Sequence, residues 1–189
     1  MASDTHLPRR AGRSTNRVTG VPDSCWLDPR VAVRPSAIEG LGLFANAPVS
    51  KGELVGVLGG RVIDDAELRE LARTRAKYNS LAIAEGLNLL LDDDETITRG
   101  NHSCDGNLWM RDAYSLEARR DIATDEELTV DYALQTAVEW EMSCNCGSPR
   151  CRGVVRGSDW QRPELQVRYQ GHFSPFLNAR IARERPGLI

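Results

Sequence analysis

The sequence predicts a mainly β protein assembled from short strands. Three observations carry that expectation. Apolar runs are brief and are cut at close intervals by glycine and proline, as in VAVRP, LGLFA and ELVGVL. The strand-like runs do not alternate with helical ones in the βαβ order of a doubly wound sheet. No GxGxxG opens a helix after a strand, which argues against a Rossmann dinucleotide site.

Each element can be justified in order. Residues 1–25 are polar, rich in Arg, Ser, Thr and Gly, and aperiodic. They are expected to form a flexible N-terminal tail, with a basic arm for an acidic partner as the functional alternative. VAVRP (31–35), LGLFA (41–45), ELVGVL (53–58) and GRVI (60–63) read as strands. DDAELRELARTRAKY (64–78) reads as a helix, because acidic residues open it, basic ones close it, and Ala66, Leu68, Leu71 and Ala72 run along it. SLAIA and LNLLL flank Glu85-Gly86, a hairpin signal. LWMRDAYSLEARRDI (108–122) supplies one or two strands and EELTV (126–130) another. TAVEWEM (136–142) is expected to form a short helix, and RPELQVRYQ and SPFLNARIARER two short C-terminal helices.

Composition narrows the function classes. A net charge of -3 argues against a protein that holds nucleic-acid phosphates electrostatically. No stretch approaches the roughly 20 apolar residues of a membrane helix. MASDTHLPRRAGRST lacks the apolar core of a secretory signal, so a reducing, cytoplasmic location without a membrane is expected. The odd count of five cysteines also fits disulfide pairing poorly. Only Lys51 and Lys77 are lysines among 24 basic residues, an arginine bias that hints at a GC-rich, bacterial genome.

Two motifs carry chemistry. Cys144, Cys146 and Cys151 have the spacing C-x-C-x4-C, with Gly147 and Pro149 in the turn between. Three thiols this close suit tetrahedral zinc, and a closed structural site wants a fourth ligand. Cys25, Cys104 and the histidines are the candidates. The second motif is NHSCDGN (101–107), whose Asn, His, Ser and Asp favour a tight turn through local hydrogen bonds. Taken alone, its Asn101 and His102 read as a structural turn before they read as a catalytic site.

NHSCDGN resembles the NHSCxPN motif of SET-domain protein lysine methyltransferases. GLGLFA (40–45) is similar to that family's glycine-containing N-terminal motif, EELTVDY (126–132) to its ELTxDY motif, and CNCGSPRCRG (144–153) to its post-SET cysteine motif. The four occur in the family's order and cover about Val31 to Val155. The resemblance implies a SET-domain fold over 26–135: small curved sheets with a pseudoknot-like crossing of the NHSC and ELTxDY segments. A zinc-bound post-SET segment over 136–155 and a helical extension over 156–189 would follow. It implies that Cys104, Cys144, Cys146 and Cys151 share zinc, leaving Cys25 over.

By the same resemblance the chain is a methyltransferase that uses S-adenosylmethionine and acts on a lysine-containing protein or peptide. The runner-up is a non-catalytic SET-like interaction module; a small-amine methyltransferase is a third reading. Tyr132 matches the family's catalytic tyrosine, and Tyr78 a second channel tyrosine. Glu39, Gly40, Leu41 and Gly42 match the loop close to the cofactor. Asn101 and His102 match residues that hold it, and Val154 and Val155 follow the last cysteine and would cover the adenine. Three positions depart from the family pattern: Thr98 stands where arginine is usual, Gly106 replaces a proline, and Val130 stands where Tyr or Phe tunes methylation number. DDDE (92–95) is either a lure for a basic peptide or a solvated turn.

Overall fold

The computed structural model describes residues 20–75 and 78–184. Its first strands are β1 (Trp26–Leu27), β2 (Val31–Pro35), β3 (Leu41–Ala45), β4 (Leu54–Val57) and β5 (Arg61–Asp64). Helix α1 (Asp65–Thr74) follows. Asp64 caps it by accepting from the Glu67 N–H at 2.9 Å. Asp65 and Glu67 sit in its first turn and Arg73 in its last, the charge order that complements the helix dipole. Leu68 is its buried anchor, packed with Ile63 and Leu90 in a small second core.

The hairpin forms as β6 (Asn79–Ala84) and β7 (Leu87–Leu91), and β5 completes a three-stranded sheet in the order β5-β7-β6. Strands β8 (Asn101–His102), β9 (Leu108–Met110), β10 (Ser115–Ala118) and β11 (Glu127–Val130) then build the main sheet. Its order is β1-β4-β10-β9-β11-β3-β2, with β8 laid on β11. A third sheet is the pair β12 (Glu141–Ser143) and β13 (Val154–Arg156). Helices α2 (Pro163–Arg168) and α3 (Pro175–Glu184) close the described chain. No helix among the described residues is long and apolar enough to cross a membrane.

β11 organises the site. It is antiparallel to β3, with Leu128 opposite Leu43. It is parallel to β8, with Thr129 opposite Asn101 and Val130 opposite His102, and parallel to β9 at Leu108. Parallel neighbours need a crossover connection, and here it brings the NHSCDGN segment alongside ELTVDY. The buried Asn107 locks the meeting: its Nδ2 donates to the Glu126 Oε1 and the Glu127 carbonyl, and its Oδ1 accepts from Thr129 N, each at 2.8 Å. Gly106 lies flat against β11. A Cβ there would stand 2.8 Å from the Thr129 carbonyl oxygen and 2.9 Å from the Asp131 nitrogen.

Two expectations need correction. TAVEWEM forms no helix; it bends at Val138 and Glu139 and enters β12 at Glu141. Ala137 packs on the main core while its neighbour Val138 packs on the Ile63–Leu68–Leu90 cluster, so successive side chains point opposite ways. The Trp140 carbonyl accepts from Gly157 N at 2.8 Å, and pairing to β13 outweighs local propensity. The tail expected over residues 1–25 also needs correction from residue 20 on. Residues 1–19 lie outside the described residues, but Val21 and Cys25 pack on the core and the Pro22 carbonyl accepts from Gly60 N at 2.9 Å.

Gly106→Ala is expected to cost about 1–3 kcal/mol through forced backbone shifts at the crossing, read as a lowered urea midpoint. A midpoint equal to that of the parent would show that β11 has room there.

Candidate active site and metal site

The four cysteines come together. The Sγ atoms of Cys104, Cys144, Cys146 and Cys151 all lie within 4.8 Å of one another, and Cys104 and Cys144 are 3.8 Å apart. Tetrahedral zinc with bonds of about 2.3 Å spaces its sulfurs by about 3.8 Å, so the donor set fits that ion in size and chemistry. β12 and β13 hold the loop, and Cys144 N donates to the Gly153 carbonyl at 2.8 Å. The Cys104 sulfur accepts from Arg152 N at 3.3 Å. Burial pushes the Cys104 thiol up to about 11 and raises Cys144 as well. Burial also opposes ionisation of Cys146, but backbone N–H donors at Cys104 and Ser148 and the neighbouring thiols bring it down to about 7. Cys25 stands apart, its thiol donating to the Gly59 carbonyl at 3.4 Å.

Directly after the last cysteine, Arg152 enters the interior. Its Nη1 and Nη2 donate to Asp131 Oδ2 and Oδ1, each at 2.7 Å, and its Nε donates to Asp159 Oδ2 at 2.9 Å. All three side chains are at most 5% exposed. The Tyr169 hydroxyl donates to Asp131 Oδ2 at 3.3 Å. Asp131 also caps the short turn that begins at Tyr132, accepting from Ala133 N. A fully satisfied buried network of this kind fixes one arrangement, because every alternative strands a charge. It fastens the cysteine loop to the backbone that carries Tyr132.

Tyr132 is held from both sides. Its N–H donates to His102 Nδ1 at 3.1 Å and its hydroxyl donates to the Gly100 carbonyl at 3.1 Å. Burial first, and then the charge of Glu39, push its phenol up to about 12, so it stays protonated at neutral pH. Desolvation holds His102 down at about 4, leaving a neutral ring. With Nδ1 accepting, the ring proton belongs on Nε2, 3.3 Å from the Cys104 sulfur. The Trp140 ring lies 6.1 Å from that of Tyr132.

A cleft of about 870 Å³ opens here. Glu39, Gly40, Leu41 and Asn101 form one part of its wall, and Tyr78, Tyr132, Trp140 and Met142 line it too. Leu81, Leu91, Ile97 and Val130 add apolar lining. Asn101 Nδ2 donates to the carbonyls of Glu39 (3.2 Å) and Leu41 (3.1 Å) and to Glu127 Oε1 (2.8 Å). Glu127 also accepts from Ser36 Oγ and lies against Gly42, where a Cβ would meet its carboxylate. The glycine loop is therefore shaped by Asn101 and Glu127 together.

Of the residues singled out from sequence, Glu39, Gly40, Leu41, Asn101, Tyr78 and Tyr132 border this cleft. Gly42 and His102 stand behind it, supporting the loop and Tyr132. Val154 and Val155 do not line it. Val155, on β13, is completely buried, and Trp140 and Met142 line the cleft. DDDE divides: Asp93 lines the cleft and pairs with Arg75, and Glu95 accepts from Cys25 N. Sequence reasoning missed Glu127, Trp140, Arg152 and Asp159. Glu127 and Arg152 lie inside the quoted motifs; nothing local marks Trp140 or Asp159.

Comparison with known proteins agrees with this geometry. The SET domain family profile matches residues 40–133. The chain is 31% identical over 156 residues to the histone-lysine N-methyltransferase ATX2 of Arabidopsis thaliana, which covers 73% of this chain and 14% of that protein. It is 30% identical over 143 residues to a human histone-lysine N-methyltransferase specific for H3 lysine-36, covering 67% of this chain and 5% of that protein. The chain thus spans a small part of these relatives. The fold is similar to the methyltransferase domain of human SETMAR, with a TM-score of 0.53, 22% identity, and coverage of 67% of this chain and 58% of that one.

Replacing Arg152 by Met would strand Asp131 and Asp159 as buried charges, at a cost of about 3–5 kcal/mol. Arg156→Met removes one exposed ion pair, to Glu141, with the two side chains 51% and 68% exposed, and is expected to cost under about 1 kcal/mol. Urea midpoints of the two variants check the contrast.

Proposed function

The chain carries a SET domain over residues 40–133, and from that premise we propose that it is an S-adenosylmethionine-dependent protein-lysine N-methyltransferase with a zinc-bound post-SET segment. The observation that carries this reading is the convergence of Tyr132, Asn101 and the 39–41 loop on one cleft. Cys104, Cys144, Cys146 and Cys151 would hold zinc, which supplies a rigid cross-link between the 101–107 turn and the cysteine loop. When bound, S-adenosylmethionine supplies an electrophilic methyl group on a cationic sulfur. The Glu39–Leu41 backbone and Asn101 would hold it; the loop glycine allows close approach because it has no side chain.

The protein's own residues answer the remaining chemical need. A lysine amine attacks only when neutral, yet its free pKa is about 10.4, so neutrality at pH 7 costs roughly 4.6 kcal/mol in water. The apolar lining from Leu81, Leu91 and Val130 lowers that cost by disfavouring the ammonium. Tyr132 offers its oxygen lone pairs, because its own proton is committed to the Gly100 carbonyl. It can therefore accept an N–H from the amine and turn the nitrogen lone pair toward the methyl group. Trp140 and Tyr78 narrow the approach, and alignment of this kind accounts for much of a two-substrate rate.

The substrate class is a lysine-bearing protein or peptide, supported by the net charge of -3, which disfavours nucleic acid. A thiolate metal site supports a reducing, cytoplasmic location. Val130 is small where relatives of this family carry an aromatic ring, which supports di- and trimethylation.

Calorimetric titration of S-adenosylmethionine into zinc-loaded protein is expected to show one site, weakened at least about tenfold in Asn101→Ala, a loss of about 1.4 kcal/mol. Tyr132→Phe is expected to keep that binding and lose roughly 10²–10³ in turnover. Equal turnover would remove Tyr132 from the reaction, and absent turnover in the parent would favour the non-catalytic module. Metal analysis should find one zinc per chain, lost in Cys146→Ser with a lower thermal midpoint. Mass spectrometry at long incubation should find di- and trimethyl-lysine; a product that stops at monomethyl would sink the role given to Val130.

A further inference from the structure

A second cleft, of about 400 Å³, meets the first at Tyr78 and Val138, which line both. Its walls are α1, the β6–β7 hairpin, residues 137–139 and helix α3. The α3 wall comes from the C-terminal extension, beyond the 40–133 span of the SET profile. So the contribution of α3 to recognition there comes from outside the domain.

The α3 residues on this wall are Phe176 and Arg180, one turn apart on one face. The Arg180 guanidinium carbon lies 4.9 Å from the Trp160 ring centre and 5.5 Å from that of Phe176. Stacking on two aromatic faces fixes a guanidinium while leaving its N–H edge open, and little entropy remains to be lost when it binds. No carboxylate among the described residues pairs with Arg180, although most arginines of this fold are paired. Arg69, on the α1 wall, is likewise without an ion-pair partner among them.

Three carboxylates share the cleft. Asp65 is engaged by Asn88 Nδ2 at 2.8 Å. Glu85 and Glu139 are exposed at its rim, where water screens them. Arg180 is half-buried and pre-oriented, so it contributes most to a ligand's binding.

We propose that this second cleft binds the acceptor chain beside its target lysine and selects an acidic side chain there, with the stacked Arg180 as the specificity residue. This rests on the lysine-methyltransferase reading, because the neighbouring cleft must hold the lysine. A carboxylate meeting the planar fork forms two charge-assisted hydrogen bonds.

The test uses the full chain and two fluorescein-labelled, lysine-centred peptide pools. One pool carries Asp or Glu among its flanking positions and the other carries Asn or Gln in their place. By anisotropy at low salt, the acidic pool is expected to bind about tenfold more tightly. Arg180→Gln should abolish the preference and Arg180→Lys should retain part of it, each variant still unfolding in one cooperative thermal transition. Equal binding of the pools, binding of neither, or a preference that survives Arg180→Gln would overturn the proposal. S-adenosylmethionine titrated into the same protein reports separately on the reading beneath it. Lost cofactor binding with the peptide preference intact would overturn the methyltransferase reading and leave acidic recognition standing.

Discussion

The bidentate pair of Asp131 and Arg152 is the constraint on which the site depends. Two charges taken out of water lose several kcal/mol of solvation each, and only close, well-aligned contacts return it. Here both oxygens of Asp131 meet Arg152 at 2.7 Å, Asp159 takes the third nitrogen, and Tyr169 and the Ala133 amide take what remains. Such a set contributes less to net stability than to uniqueness. An arrangement that moved the cysteine loop by a few ångströms would leave an acid or a guanidinium buried and unpaired.

From that pair the site extends in two directions along the chain. Forward of Asp131 comes Tyr132, whose amide and hydroxyl are fixed by His102 and Gly100. Backward of Arg152 comes Cys151, in reach of Cys104, Cys144 and Cys146. The turn at 101–107 meets both, offering His102 to Tyr132 and Cys104 to the thiol cluster. The cysteine cluster and the tyrosine in the cleft are therefore parts of one rigid body, joined by ion pair, backbone and sulfur.

The C-terminal extension belongs to the same body. Trp160, Leu165, Tyr169, Phe173, Leu177 and Ile181 are buried in the core that also contains Leu43 and Leu128. Arg168 reaches back to donate to the Cys104 carbonyl at 2.9 Å. The extension thus closes the hydrophobic interior and supports the 101–107 turn. Its aromatic residues are for the most part core, with Phe176 left at the margin of the second cleft.

The sequence by itself determined most of the strands, though not β1, β8, β12 or β13, and with them helix α1, the hairpin at Glu85-Gly86 and the four motifs. These are local matters of period, turn chemistry and spacing, and each can be read within a dozen residues. It also supplied the fourth cysteine, though only through a family resemblance. Spacing left Cys25, Cys104 and histidine open, and the distance between sulfurs 40 positions apart is a property of the fold. Tertiary structure alone decided that 136–142 is not helical and ends in a strand, since its pairing partner lies beyond the cysteine loop. It left Val154 and Val155 out of the cleft and put Trp140 and Met142 there, because packing around the strand pair decides which side chains reach the opening. It also recruited Arg152 and Asp159, whose burial no local pattern announces. A charged residue reads as surface until the partner that neutralises it arrives from elsewhere in the chain.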